Sequence, residues 1–185
     1  MPSASVPWLR GAAIVLATAA VYVAAAKVGL SMALAGAPVT AVWPPSGIAV
    51  AVLLLGDRRW AVPGIALGAF VANVTEPEPV LVAAGIAVGN TLEALLAVRL
   101  LALVRFAPTL DRLRDALALG LAATASPTVA ASIGVAFLCG AGVELWSRAP
   151  TLWWVWWIGD TIGVLLVVPV ALAWTRGAQA PAARR

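Results

Sequence analysis

Six apolar runs follow one another along this chain of 185 residues, at about Gly11–Leu34, Val39–Gly56, Ala61–Thr75, Val80–Phe106, Ala116–Gly142 and Trp153–Trp174. A bilayer core takes roughly 20 helical residues, so the second and third runs are short and the rest are of spanning length. Hydrophobic residues make up 63% of the chain and charged ones 11%, a balance no water-soluble domain of this size could bury. The expected fold is an all-α membrane protein, a bundle of six transmembrane helices.

The second run contains a break. In Thr40-Ala41-Val42-Trp43-Pro44-Pro45-Ser46-Gly47, neither proline has a backbone N–H, and each disfavours the α region for the residue before it. Trp43 and Pro44 are expected to be extended, with a helix beginning at about Pro45. Lipid cannot satisfy the carbonyls freed by such a break, so it must pack against protein or line a wet cavity. Pro127 in Ser126-Pro127-Thr128 should bend the fifth span, the flanking hydroxyls serving the freed carbonyls.

Charge then orients the bundle. If six helices alternate, Arg10, Arg58, Arg59, Arg105, Arg112, Arg114, Arg176, Arg184 and Arg185 fall on one side, and only Arg148 falls in a link on the other. The positive-inside rule puts both termini in the cytoplasm. The opposite face carries Glu76-Pro77-Glu78-Pro79 and Glu144. Arg10, an apolar run and Ala24-Ala25-Ala26 are the parts of a signal peptide. The run continues past Lys27 to Leu34, however, and the reading retains it as the first span. Pairs with small-xxx-small spacing, Gly64/Gly68, Gly85/Gly89 and Gly159/Gly163, permit close helix contact, and Ala13/Ala17 with Ala20/Ala24 could form a docking stripe.

Polar residues inside the spans are costly and usually face the bundle interior. They are Lys27, Asn73, Asn90, Glu93, Arg99, Ser126, Thr128, Ser132 and Asp160. Asn90 and Glu93, three apart, share a helix face. Two readings are open: Lys27 and Arg99 pair with Glu93 and Asp160 to hold the bundle together, or the group forms an outward-facing polar pocket. Trp153, Trp154, Trp156 and Trp157 open the last span. They read as an aromatic belt at the headgroups, but four in five residues encircle a helix, so some must face its neighbours. A pocket at that level would be lined by Trp43, Pro44, Pro45, Ser46, Asn73, Asn90, Glu93, Trp157 and Asp160, and its aromatic walls would suit an amphipathic or cationic ligand.

The chain has no histidine and one cysteine, Cys139. An internal disulfide is excluded, and the usual zinc, copper and haem ligands are missing. No metal or cofactor is expected. Although Glu93 and Asp160 are a conceivable acid–base pair, nothing else points to an enzyme. The net charge of +4 reflects the arginine-rich links and does not imply nucleic acid.

Val42-Trp43-Pro44-Pro45-Ser46-Gly47-Ile48-Ala49, then Leu53-Leu54-Leu55-Gly56, resembles the MASE1 family of membrane-associated bacterial sensor domains. Pro63-Gly64-Ile65, Gly68-Ala69-Phe70, Ala72-Asn73, Gly89–Leu96, Asp111–Asp115, Trp156–Asp160, Gly163–Leu166 and Pro169 continue the resemblance in order. It implies an input module that receives a ligand or membrane-linked cue and passes it to a cytoplasmic effector, a histidine kinase or a cyclic-dinucleotide enzyme. Residues 1–175 would form the sensor domain, and residues 176–185, rich in Ala, Pro and Arg, a linker-like tail. Members usually continue into further spans and an effector, so the chain is expected to be a shortened sensor or part of a longer protein. The alternative of another class is a six-helix substrate-binding subunit of a vitamin-type uptake transporter, which length and span count also suit.

Overall fold

The computed structural model describes residues 6–31, 40 and 42–179, and these form an up-and-down helical bundle. Its elements are α1 (Val6–Ser31), α2 (Pro44–Leu55), α3 (Arg58–Val74), α4 (Val80–Leu103), α5 (Leu113–Ala125), α6 (Pro127–Gly140) and α7 (Ala149–Gln179), with one 3-10 turn at Trp146–Arg148. α5 and α6 are one helical stretch of 28 residues divided at Ser126. Ser126 Oγ donates to the Ala122 carbonyl (2.8 Å), which also accepts from the Ser126 N–H (3.0 Å), and Thr128 Oγ1 to that of Ala125 (2.7 Å). Neither hydroxyl reaches the Ala123 carbonyl, the one whose helical partner Pro127 removes.

Four stretches are long and apolar enough to cross a membrane: Pro7–Ser31, Val80–Leu103, Leu113–Gly140 and Trp146–Arg176. α2, with 12 residues, and α3, with 17, are shorter. The expected run ends at Leu34 and Val39, Ala41 of the break, and the end of the tail lie outside the described residues. α7 runs on to Gln179, so the helix passes the expected domain boundary at residue 175. The helix begins one residue earlier than expected at the break: Trp43 is non-helical (φ −120°, ψ 84°), but Pro44 is already helical. The first N–H groups of a helix have no internal partner, so two prolines there forfeit nothing.

Asp57 caps α3, its carboxylate accepting from the Arg59 N–H at 3.0 Å. α4 ends differently, on Arg105 with φ 53°, where the Phe106 N–H closes back onto the Leu101 carbonyl. Left-handed backbone costs a residue with a Cβ roughly 1–2 kcal/mol, and helix ends favour glycine there. Arg105→Gly is therefore expected to raise the stability of the chain in detergent by about 1 kcal/mol, read from its unfolding midpoint; a fall in the midpoint would show that the arginine side chain outweighs the strain.

Lipid tails are as apolar as leucine, so close packing and cross-helix hydrogen bonds hold such helices together. Gly64 and Gly68 let α3 lie parallel against α1, where added Cβ atoms would come within 2.7 Å of Thr18 and 2.8 Å of Tyr22. α2 lies parallel to α7 through Gly47 and Gly163, and α4 antiparallel to α6 through Gly85 and Gly89. Ala13, Ala17, Ala20 and Ala24 are all on the exposed side of α1, away from the bundle. One end of the bundle gathers Arg58, Arg59, Asp111 and Arg176; there Arg176 binds the Thr109 carbonyl and Asp111 (2.9 Å), and hydrogen bonds from Arg176 and Thr109 hold the Asp111 carboxyl below its usual range. The other end gathers Lys27, Trp43, Glu76, Glu78 and Trp156.

Candidate functional site

The break seats the first turn of α2 on α7. The Trp43 N–H donates to the Gly159 carbonyl at 2.9 Å. A Cβ on Gly163 would collide with the Trp43 carbonyl, and one on Gly47 with that of Gly163. Two glycines therefore allow backbone-to-backbone approach, and this approach fixes where Ser46 points. Its hydroxyl lies 2.9 Å from Asp160 Oδ1 on α7 and 3.3 Å from Glu93 Oε2 on α4. All three side chains are buried, Asp160 completely.

A serine hydroxyl carries one hydrogen, so it can donate to only one of the two carboxyls. Glu93 Oε1 and Asp160 Oδ2 are buried and have no hydrogen-bond partner. One turn from Glu93, Asn90 donates through Nδ2 to the Tyr22 hydroxyl (2.9 Å), which leaves Asn90 Oδ1 buried and unpartnered as well. The site is thus rich in acceptors and poor in donors. Buried polar atoms normally find partners, and those that do not require an explanation.

Above this cluster is a cavity of about 40 Å³, partly open to the outside. Asn90 and Asp160 contribute to it from within the bundle, and Thr40, Asn73, Glu76 and Glu78 are the other polar residues lining it. Apolar surface comes from Trp43, Trp156, Ile86, Leu138 and Leu30. Lys27 binds Glu76 and, at 2.8 Å, the Thr75 hydroxyl. Burial, with the Glu76 charge adding to it, holds the Glu78 carboxyl above its usual range, against the pull of Lys27.

This arrangement corrects the salt-bridge expectation. Lys27 reaches the loop after α3 and not Glu93 or Asp160, because it sits at the end of α1, level with Thr75. Arg99 is exposed two turns further along α4. Among the described residues the two buried carboxyls have no cationic partner within salt-bridge distance, and no group of three or more metal-binding side chains occurs.

Of the residues singled out in the sequence, Trp43, Asn73, Asn90 and Asp160 line the cavity, with Ser46 and Glu93 joined to Asp160 beside it. Pro44 and Pro45 form the first turn of α2 and are not among the lining residues. Trp157 faces elsewhere. Its indole N–H donates to the Thr124 carbonyl at 2.7 Å beside the Pro127 bend, and its ring stacks on Trp153 (6.4 Å, 8°). Trp156 takes the cavity position instead, packed so closely that a Cβ on Gly134 would strike its ring. Tyr22 was also missed, although it is the chain's one tyrosine and lies in mid-span. Trp157→Phe is expected to destabilise the bundle by about 1 kcal/mol through the lost Thr124 bond while leaving the cavity intact; an unchanged unfolding midpoint would deny the bond that role.

The family model described as MASE1 matches residues 14–185 of the chain. No curated protein and no solved structure matches it.

Proposed function

The chain belongs to the MASE1 family of membrane-associated sensory domains, and from that premise we propose that it is a multi-pass input domain of the bacterial inner membrane that binds a small ligand in the α1–α4, α6, α7 cavity. The observation that carries this reading is the Ser46–Glu93–Asp160 junction. It ties α2, α4 and α7 together directly beside a cavity, with acceptors left unused.

In this reading six helical passes place both termini in the cytoplasm, because the arginine-rich links then lie inside. The cavity opens to the outer face. α7 carries Asp160 at one level and Arg176 near its far end, so it joins the site to the side where an effector would be attached. A ligand that favours one packing of α2, α4 and α7 would shift the population of α7 positions. The cytoplasmic effector, a histidine kinase or cyclic-dinucleotide enzyme, would read that shift as a partner or a fused domain. No catalytic role is assigned to the carboxyl pair.

The test is a fusion of residue 185 to a diguanylate cyclase module. Asp160→Asn is expected to change cyclase output by at least about threefold, a shift of under 1 kcal/mol in a two-state equilibrium, at an unchanged membrane level of the fusion. Unchanged output at unchanged level would remove the site from signalling, and a fall in level alone would make Asp160 structural.

A further inference from the structure

We propose that the ligand of this cavity is an amphipathic organic cation, a primary ammonium group on an apolar body. The inference deepens the sensory reading and rests on it for the statement that the cavity takes a ligand at all. Three features converge. First, Asn90 Oδ1 and Asp160 Oδ2 are buried acceptors without donors on residues that line the cavity. Glu78 Oε2, also buried and unpartnered, belongs to a third lining residue. An ammonium group brings three donors and no acceptor, which is the complement of what the site lacks.

Second, the charge is one-sided. Glu76, Glu78 and Asp160 line the cavity, and Glu93 shares Ser46 with Asp160. Against these stands Lys27, bound to Glu76. A buried carboxylate without a counter-charge is costly, so an incoming cation would favour the ionised form of these groups where an anion would oppose it. Third, the walls are apolar and aromatic. Trp43 and Trp156 offer ring surfaces that attract cations, and Leu30, Ile86 and Leu138 offer apolar surface to a hydrocarbon body. A bare metal ion would find too few ligands among the described residues, and a neutral sugar or alcohol would leave the acceptors and the charge uncompensated.

The experiment uses the full chain in lipid nanodiscs, with binding followed by tryptophan fluorescence and calorimetry. The probes are phenethylammonium, phenethyl alcohol, phenylacetate and sodium chloride. Phenethylammonium is expected to bind saturably and at least about tenfold more tightly than the alcohol, the size of one charge-assisted hydrogen bond, with no binding of phenylacetate. Asp160→Asn is expected to remove that preference, and Trp157→Phe to preserve it. Equal binding of the alcohol overturns the proposal. So does failure of the ammonium to bind a chain whose tryptophan spectrum and unfolding midpoint show it folded, or displacement of the probe by sodium at equimolar level. The effector fusion separates the two readings. Selective ammonium binding without a change in output keeps the ligand class and removes the sensory role. An output change on Asp160→Asn without ammonium binding does the reverse.

Discussion

Gly163→Val is expected to abolish the folded bundle, lowering stability by about 3 kcal/mol or more. Any Cβ at residue 163 meets the Trp43 carbonyl and lies 3.4 Å from the Pro44 nitrogen, both of them backbone. Backbone in a proline-fixed turn cannot swing aside as a side chain can. Accommodation would push α2 off α7, lose the Trp43 N–H bond to Gly159 and pull Ser46 away from Asp160 and Glu93. Chain level in the membrane and the unfolding midpoint in mild detergent report the outcome. Gly120 is the control: nothing lies within 4 Å of a Cβ placed there, so Gly120→Ala should be neutral or stabilising by up to about 1 kcal/mol. Equal tolerance of both changes would mean that α2 is not seated on α7 as described.

The double variant Glu93→Gln with Asp160→Asn should separate stability from function. The amides keep the shape of the carboxyls and add donors to a cluster short of them, and they remove buried acid groups that no cation faces. The empty protein is expected to gain about 1–3 kcal/mol, the cost of leaving buried polar groups unsatisfied, while its effector fusion loses all response. Such a trade between stability and activity is the signature of residues retained for a ligand. Loss of more than about 2 kcal/mol, the range in which breaking a buried polar network falls, would instead show that the carboxyls hold the helices together.

Both variants concern features that were only partly legible in the sequence. Run lengths and the proline pair located α2 and its irregular entry, because proline chemistry acts within one or two residues. The one-residue difference at Pro44 reflects an effect that depends on position within a helix, where the first turn has no internal donors to lose. Hydroxyls beside Pro127 bond carbonyls of their own turn, Ala122 and Ala125, and not the Ala123 carbonyl that the proline frees. That Asn90, Glu93 and Asp160 meet at one level of the bundle followed from counting residues along successive runs.

Rotation about each helix axis did not follow. Helices as uniformly apolar as α4 and α7 carry little contrast between their faces, so the pattern alone does not say which side is inside. Trp156 and Trp157 are adjacent and chemically identical, yet one lines the cavity and the other braces Thr124. What distinguished them was the fit of Trp156 against Gly134 on another helix. Lys27 paired with Glu76 and not with the buried carboxyls for a related reason, the relative height of α1 and α3, which is fixed where Gly64 meets Thr18. The sequence by itself determined the solvent, the helical class, the family and the level at which polar groups gather, because these depend on composition and on distance along the chain. Only the tertiary structure decided that Ser46 joins Glu93 to Asp160 and that no described cation answers them, because that depends on how glycines let one backbone approach another.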